Sequence, residues 1–165
     1  MNKILTKPIQ EEKDTQHGKF LTFALGKEVY GIEICFVTEI VGVQKISNLP
    51  GSPAFIKGVI NLRGKIIPVV DMRLRFKIEP IEYTNRTCIV VIDIQELTVG
   101  LIVDKVREVA AIPDECISPP PSTGIGYRNR FIKGIGKSDD GVQLLLDCEQ
   151  LFRDEEMEVF NKIKE

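Results

Sequence analysis

The chain writes one pattern twice. Phe55 to Asp71 reads FIKGVINLRGKIIPVVD, and Phe131 to Asp147 reads FIKGIGKSDDGVQLLLD. In this register, 76 residues apart, Ile66 falls on Val142, Asp71 on Asp147 and Phe76 on Phe152. A second register, 69 residues apart, lays Phe20-Leu21-Thr22-Phe23 over Ile89-Val90-Val91-Ile92 and Gly31-Ile32 over Gly100-Leu101. It also lays Val37 over Val106, Glu39 over Glu108 and Ile40 over Val109. The second copy is thus seven residues longer. The loop Pro113 to Arg130, with its Pro119-Pro120-Pro121-Ser122-Thr123-Gly124, has the composition to hold the difference. Agreement in two registers at many positions identifies a tandem duplication, with copies over about 20–77 and 89–153.

Each copy reads as β. Phe20 to Leu25 and Val29 to Ile34 are strand-length apolar runs around Gly26-Lys27, and Cys88 to Ile94 and Leu97 to Val103 repeat them around Gln95-Glu96. Val59 to Leu62 and Ile66 to Val70 flank Arg63-Gly64, a tight turn in which Gly supplies positive φ. Pro68 cannot donate to a ladder, so its strand is expected at an edge or a bulge. Cys35 to Ile40 is mixed in polarity and suits one helical turn between strands. From Asp147, a suitable N-cap, apolar residues Leu151, Phe152, Val159, Phe160 and Ile163 recur at near-helical spacing, predicting a C-terminal helix over 148–165. About five short strands per copy is little for an independent core. The expected architecture is all-β: two five-stranded β-barrels, one from each copy, sharing a hydrophobic interface within 19–152 and followed by the helix.

Composition narrows the function. The 165 residues are 43% hydrophobic and 28% charged, with a formal net charge of −2, values expected of a soluble globular protein without general attraction for nucleic acid or anionic lipid. No apolar run approaches a membrane span, so no direct insertion into a membrane is expected. The first eighteen residues are polar, lack a signal-peptide core and read as a flexible tail. Cys35, Cys88, Cys116 and Cys148 are scattered, with no C-x-x-C pair; reduced thiols and a cytoplasmic location follow, with buried packing expected for Cys35, Cys88 and Cys148.

Catalytic signatures fail in turn. The single histidine, His17, lies in the tail, which leaves no Cys–His or Ser–His pair in a folded site and no histidine metal cluster. Gly136-Lys137-Ser138 ends like a P-loop, but Phe131 stands where its first glycine belongs. Gly124-Ile125-Gly126 lacks its third glycine, because position 129 is Asn. Asp71 and Asp147, repeat equivalents at strand ends, read as turn or cap residues. No catalytic residue, metal or cofactor is expected. A barrel binding single-stranded nucleic acid would need aromatics interleaved with Lys and Arg. The best basic alternation, Arg73, Arg75 and Lys77, is followed by Glu79 and Glu82, and nucleic acid is not the expected partner.

Features found in one copy only are candidates for function. Arg63 leads them, at a hairpin tip where the other copy has Asp139, with Glu39 as its expected ion-pair partner. An exposed pair adds little stability, whereas an interface arginine can dominate binding.

At these residues the chain resembles the CheW family of chemotaxis coupling proteins. The resemblance rests on FLTFALGKEVYGIEICFVTEI, SPAFIKGVINLRGKIIPVVDMRLRF, GLIVDKVREV and FIKGIGKSDDGVQLLLDCEQLF, and is sharpest at NLRG-x-I-x-P-V-x-D from Asn61 to Asp71. It implies a double barrel without catalysis that binds the regulatory domain of the histidine kinase CheA and the cytoplasmic hairpin tip of chemoreceptors. A monomer in isolation is expected, recruited to membrane-associated receptor arrays. The family's receptor-facing residues match Val37, Glu39, Gly58, Arg63, Cys88, Gly100, Val106 and Val109, where Cys88 replaces an expected Val. The kinase-binding edge is placed loosely between Gln44 and Ile67. A CheW-like module of a larger kinase or scaffold, or a barrel binding single strands, are the alternatives.

Overall fold

The computed structural model describes residues 16–120, 126–139 and 141–152. Eleven strands are described: β1 (Lys19–Leu25), β2 (Glu28–Glu33), β3 (Val37–Gly42), β4 (Ile56–Leu62), β5 (Lys65–Asp71), β6 (Cys88–Ile94), β7 (Leu97–Val103), β8 (Lys105–Ala111), the short β9 (Ile117–Ser118), β10 (Ile132–Ser138) and β11 (Gly141–Leu146). They form a six-stranded sheet in the order β8-β1-β2-β11-β10-β9 and a five-stranded sheet in the order β3-β6-β7-β5-β4.

The tight turns form where the dipeptides predict them. Arg63 and Gly64 both take positive φ, 52° and 87°, as a two-residue hairpin turn requires. Gln95 and Glu96 do the same without a glycine, at 47° and 70°. Asp71 and Asp147 are caps: an Asp71 oxygen accepts from the backbone N–H groups of Arg73 and Leu74, starting the one-turn helix α1 (Met72–Arg75), and Asp147 Oδ1 accepts from Gln150 N at 3.1 Å.

The sheets do not follow the repeat boundary. The expectation of one barrel from each copy is corrected by the strand order, because each sheet takes its β1–β2-type hairpin from the other copy. Under the repeat registers, β3-β6-β7-β5-β4 maps strand for strand onto β8-β1-β2-β11-β10. The two parallel contacts correspond as well: Gly31 stands opposite Leu145 and Gly100 opposite Val69. Even the edge is shared, since the bridge of Ser47 to Val59 matches β9 pairing through Ser118 to Ile135. Between β2 and β3, a 3-10 turn at Ile34–Phe36 carries the chain into the other sheet; it replaces the longer helical turn expected over 35–40.

This exchange accounts for the continuous apolar runs. A strand with water on one face alternates in polarity; a strand buried on both faces does not. In β6, Ile89 and Val91 enter the interior of the five-stranded sheet beside Ile60, Ile67, Val69 and Ile102. Val90, Ile92 and Ile94 face the other way, into a large core shared with Leu21, Phe23, Tyr30 and Ile32 of the six-stranded sheet. Phe20, Ile112 and Leu145 form a smaller third cluster.

Pro68 departs from expectation. β5 lies between β4 and β7, not at an edge. Val59, its partner on β4, directs its own N–H and C=O to Ser47, so Val59 and Pro68 exchange no ladder bonds. The side of Pro68 that lacks an N–H therefore faces β7, whose pairing begins only at Val69. The missing donor is not needed there.

At the centre of the molecule, Arg75 lies between Phe55 and Phe131, with its guanidinium carbon 4.8 and 4.6 Å from the two ring centroids. These phenylalanines are repeat equivalents, so Arg75 sits on the axis relating the copies. It is 1% exposed and donates to the Leu151 carbonyl at 2.9 Å. The expected helix over 148–165 lies mostly outside the described residues; its described part is a 3-10 turn at Gln150–Phe152. Residues 1–15 of the expected tail are likewise outside them, while His17 lies 3.4 Å from Asp114.

Candidate partner-binding rim

The five-stranded sheet curls until its edges meet. β3 and β4 are its outermost strands, yet Arg63, in the β4–β5 turn, donates to Glu39 of β3. The hydrogen bond and charge of Glu39 raise the Arg63 pKa above its ordinary value. The turn is held from beneath by Asn61, whose Oδ1 accepts from Gly64 N at 2.8 Å. Arg63 is exposed, with 70% of its side chain open, against 29% for Glu39. Below the pair lies a groove lined by Thr38, Leu62, Lys65, Ile67, Asp93 and Thr98. Lys65 Nζ donates to Thr98 Oγ1 at 3.0 Å, and Thr98 donates to Asp93 at 2.6 Å, which orders the groove's far wall.

The six-stranded sheet carries Glu108 and Asp139 at the positions of Glu39 and Arg63. Two acids cannot form the ion pair, so the rim belongs to one sheet only.

The remaining predicted site residues divide by accessibility. Val37, half-buried, starts β3 opposite Ile92. Cys88, also half-buried, starts β6 opposite Gly42 and donates its thiol hydrogen to the Arg86 carbonyl at 3.3 Å. Val106 and Val109 lie on β8 of the other sheet, Val106 packed on the shared core and Val109 51% exposed. Gly58 and Gly100 are buried and shape the backbone. A Cβ on Gly58, whose φ is 145°, would stand 2.1 Å from the Ser47 carbonyl oxygen; on Gly100 it would stand 2.6 Å from Ile89 Cγ2. Among the predicted residues the structure joins Glu39 and Arg63 in direct contact. Within the stretch Gln44 to Ile67, Ile66 is the most open large hydrophobic residue, at 55%.

Several polar anchors escape a reading of the sequence. Arg73 makes a two-armed contact to Asp104 at 2.6 and 2.9 Å, and Asp104 also accepts from Gly26 N at 2.8 Å. Burial alone would raise the Asp104 pKa; the Arg73 hydrogen bonds and charge and the Gly26 N–H outweigh it and lower the value. Arg128 donates to Tyr30 Oη at 2.8 Å and pairs with Glu28. Arg75 did carry a signal: it stands at the repeat position of Leu151, a cation where the copy has an aliphatic. The thiols correct the expectation of burial for Cys35, which is exposed, and for Cys88, which is half-buried; Cys148 is buried, and burial pushes its pKa up to about 12.

Residues 19–156 match the model of the CheW-like domain. The chemotaxis protein CheW of Klebsiella aerogenes is 35% identical over 150 residues, covering 91% of this chain and 90% of that protein. The chemotaxis protein CheW of Treponema pallidum is 32% identical, with 85% of each chain covered. Among solved structures, the scaffolding protein TtCheW from Thermoanaerobacter tengcongensis superposes with a TM-score of 0.77 at 38% identity, covering 84% of this chain and 94% of that one. The tandem duplication, the two curled sheets and these matches agree: this chain belongs to the CheW-like domain family.

Proposed function

We propose that this chain is a non-enzymatic adaptor of chemotaxis signalling that couples chemoreceptors to the histidine kinase CheA, holding the kinase regulatory domain and the receptor tip on separate faces. The observation that carries the reading is the Glu39–Arg63 pair: an exposed cation fixed by a half-buried carboxylate above a groove, on one sheet and not on its repeat copy. A fixed arginine loses little side-chain freedom on binding, which suits it to an interface. The apolar side of a receptor helix would lie against the sheet, with Glu39 and Arg63 as its polar rim and Val37 and Cys88 beside it. Val106 and Val109 would extend that face across β8. Gly58 and Gly100 would act by setting the backbone.

The kinase would take the stretch from Gln44 to Ile67, where Ile66 stands open near one end. Each contact would bury about 800 Å² per partner. Among the described residues no group of three or more His, Cys, Asp or Glu is arranged to hold a metal, and no helix is long and apolar enough to cross a membrane. Attachment to a receptor array would come through protein contacts.

The test is an NMR titration of the labelled full chain, first with a CheA regulatory domain and then with a receptor hairpin-tip fragment. Shifts on two separate surfaces are expected, the second centred on Glu39 and Arg63. Silence with both partners would remove the adaptor function while leaving family membership intact.

A further inference from the structure

The two curled sheets enclose different interiors. Inside the five-stranded sheet pack Ile60, Ile67, Val69, Ile89, Val91 and Ile102. The repeat registers put Gly136, Gln143, Leu145, Phe20, Thr22 and Glu33 at those six positions. Three isoleucines are replaced by a glycine, an amide and a carboxylate. Phe20 and Leu145 stand in place of the smaller Ile89 and Val69, and Ile112 packs beside Gly136, so the second interior is filled differently and carries polar groups.

The mouths differ as well. Tyr83, from the segment before β6, packs against the first interior, and its hydroxyl donates to Asp71 Oδ2 at 2.8 Å. The ammonium of Lys57 stands 6.0 Å from the ring centroid. Lys133 is the repeat equivalent of Lys57, and beside it the second mouth is a cavity of about 410 Å³. Its floor is Phe20, Ile117 and Leu145, and its rim includes Glu33, Cys35 and Lys133.

We propose that this cavity is a binding site for a small neutral aromatic molecule of phenol to indole size carrying one N–H or O–H donor. The first sheet supplies the template, because there an equivalent lysine stands over a phenol ring provided by the chain itself. The floor is apolar, as a ring requires, and the volume falls in the range of small-molecule pockets. At the rim Lys133 pairs with Glu33, and His17 Nε2 lies 3.4 Å from an Asp114 oxygen. A charged ligand beside Lys133 would have to compete with the Lys133–Glu33 pair. A neutral donor needs only a free lone pair on Glu33, since a carboxylate offers about four acceptor sites. The cavity shares no lining residue with the groove beneath the Glu39–Arg63 pair.

The probe is indole, titrated into the labelled full chain, with phenol in parallel. Saturable shifts confined to Gly18, Phe20, Ile117 and Leu145 are expected. They should vanish in Glu33→Ile, which restores the isoleucine of the other sheet. A second readout uses the unaltered chain. Indole at about ten times its Kd should slow alkylation of Cys35 about tenfold and leave Cys88 unchanged. Absence of saturable shifts, shifts that persist in a folded Glu33→Ile chain, or unprotected Cys35 would each overturn the site. So would binding of a tyrosine-containing peptide where free indole and phenol fail, since the aromatic group would then belong to a protein partner.

Discussion

Arg63 and Glu39 join the two outer strands of the five-stranded sheet, which share no ladder. The pair is open to solvent, so its loss should hardly move the unfolding midpoint. Replacing Arg63 with Glu sets two carboxylates at the rim, as Glu108 and Asp139 are set in the other sheet. Affinity for a receptor-tip fragment should fall about tenfold or more, the loss expected of an anchoring arginine. Fluorescence anisotropy would measure it. Restored binding in the swapped Glu39→Arg/Arg63→Glu chain would show that the pair, and not the site of the cation, is what the receptor reads.

Gly58 and Gly100 should behave differently from Arg63, although the resemblance groups all three. Ala at 58 must hold a φ of 145° against the Ser47 carbonyl, and a loss of about 2 kcal/mol follows. At 100 the obstacle is the Ile89 side chain, and overpacking gives a cost of about 1–3 kcal/mol. Urea unfolding would measure both. A folded, undiminished Gly58→Ala chain that still failed to bind receptor would make position 58 a contact and not a support.

How far the sequence reveals this molecule depends on what the repeat can encode. Turns at Gly26-Lys27, Arg63-Gly64 and Gln95-Glu96 are local, and they form where their residues predict. The Glu39–Arg63 pair is legible in the sequence through Arg63, which stands where the other copy has Asp139, while the acid is kept in both copies as Glu39 and Glu108. The hairpin exchange is not, because residue equivalence is the same whether β1–β2 pairs within its own copy or with the other. Pro68 misled for a related reason: its missing N–H faces a stretch of β7 where no ladder runs, a fact set by β7 and not by β5. Exposure of Cys35 follows from its place at the cavity rim, which composition does not report.

Arg75 should be worth more to stability than any surface ion pair. Truncation to Ala removes a guanidinium held between Phe55 and Phe131 and takes the donor from the Leu151 carbonyl. A loss of about 3 kcal/mol is expected in urea unfolding. Shifts in the NMR spectrum should spread to both sheets, since Phe55 leads into β4 of the five-stranded sheet and Phe131 into β10 of the six-stranded one. Changes confined to the neighbourhood of α1 would count against a role in joining them.

Asp104 gives the acid limb of the stability curve a definite sign. Its folded pKa lies below the unfolded value of about 4, so its contribution is complete above that pH and declines as pH falls toward the folded value. Asp104→Asn should therefore destabilise the chain at neutral pH, and the gap between the two proteins should narrow on acidification. Urea titrations across the acid range would record this. A gap independent of pH would assign the loss to packing and not to the Arg73–Asp104 charge.

The hairpin exchange makes its own demand on a divided chain. If each sheet needs strands from both copies, neither half can close a core alone, and a cut between them need not separate them. A protease site inserted between Pro80 and Ile81, in the exposed segment before β6, would test this. The cut protein should elute as one particle of unchanged size and unfold in one cooperative transition. The midpoint should depend on concentration, because unfolding now releases two chains. Residues 1–80 and 81–165, made separately, should show no cooperative unfolding, and mixing them should restore it. Two halves that fold independently would mean that each copy can satisfy its own hairpin, as the repeat alone suggested.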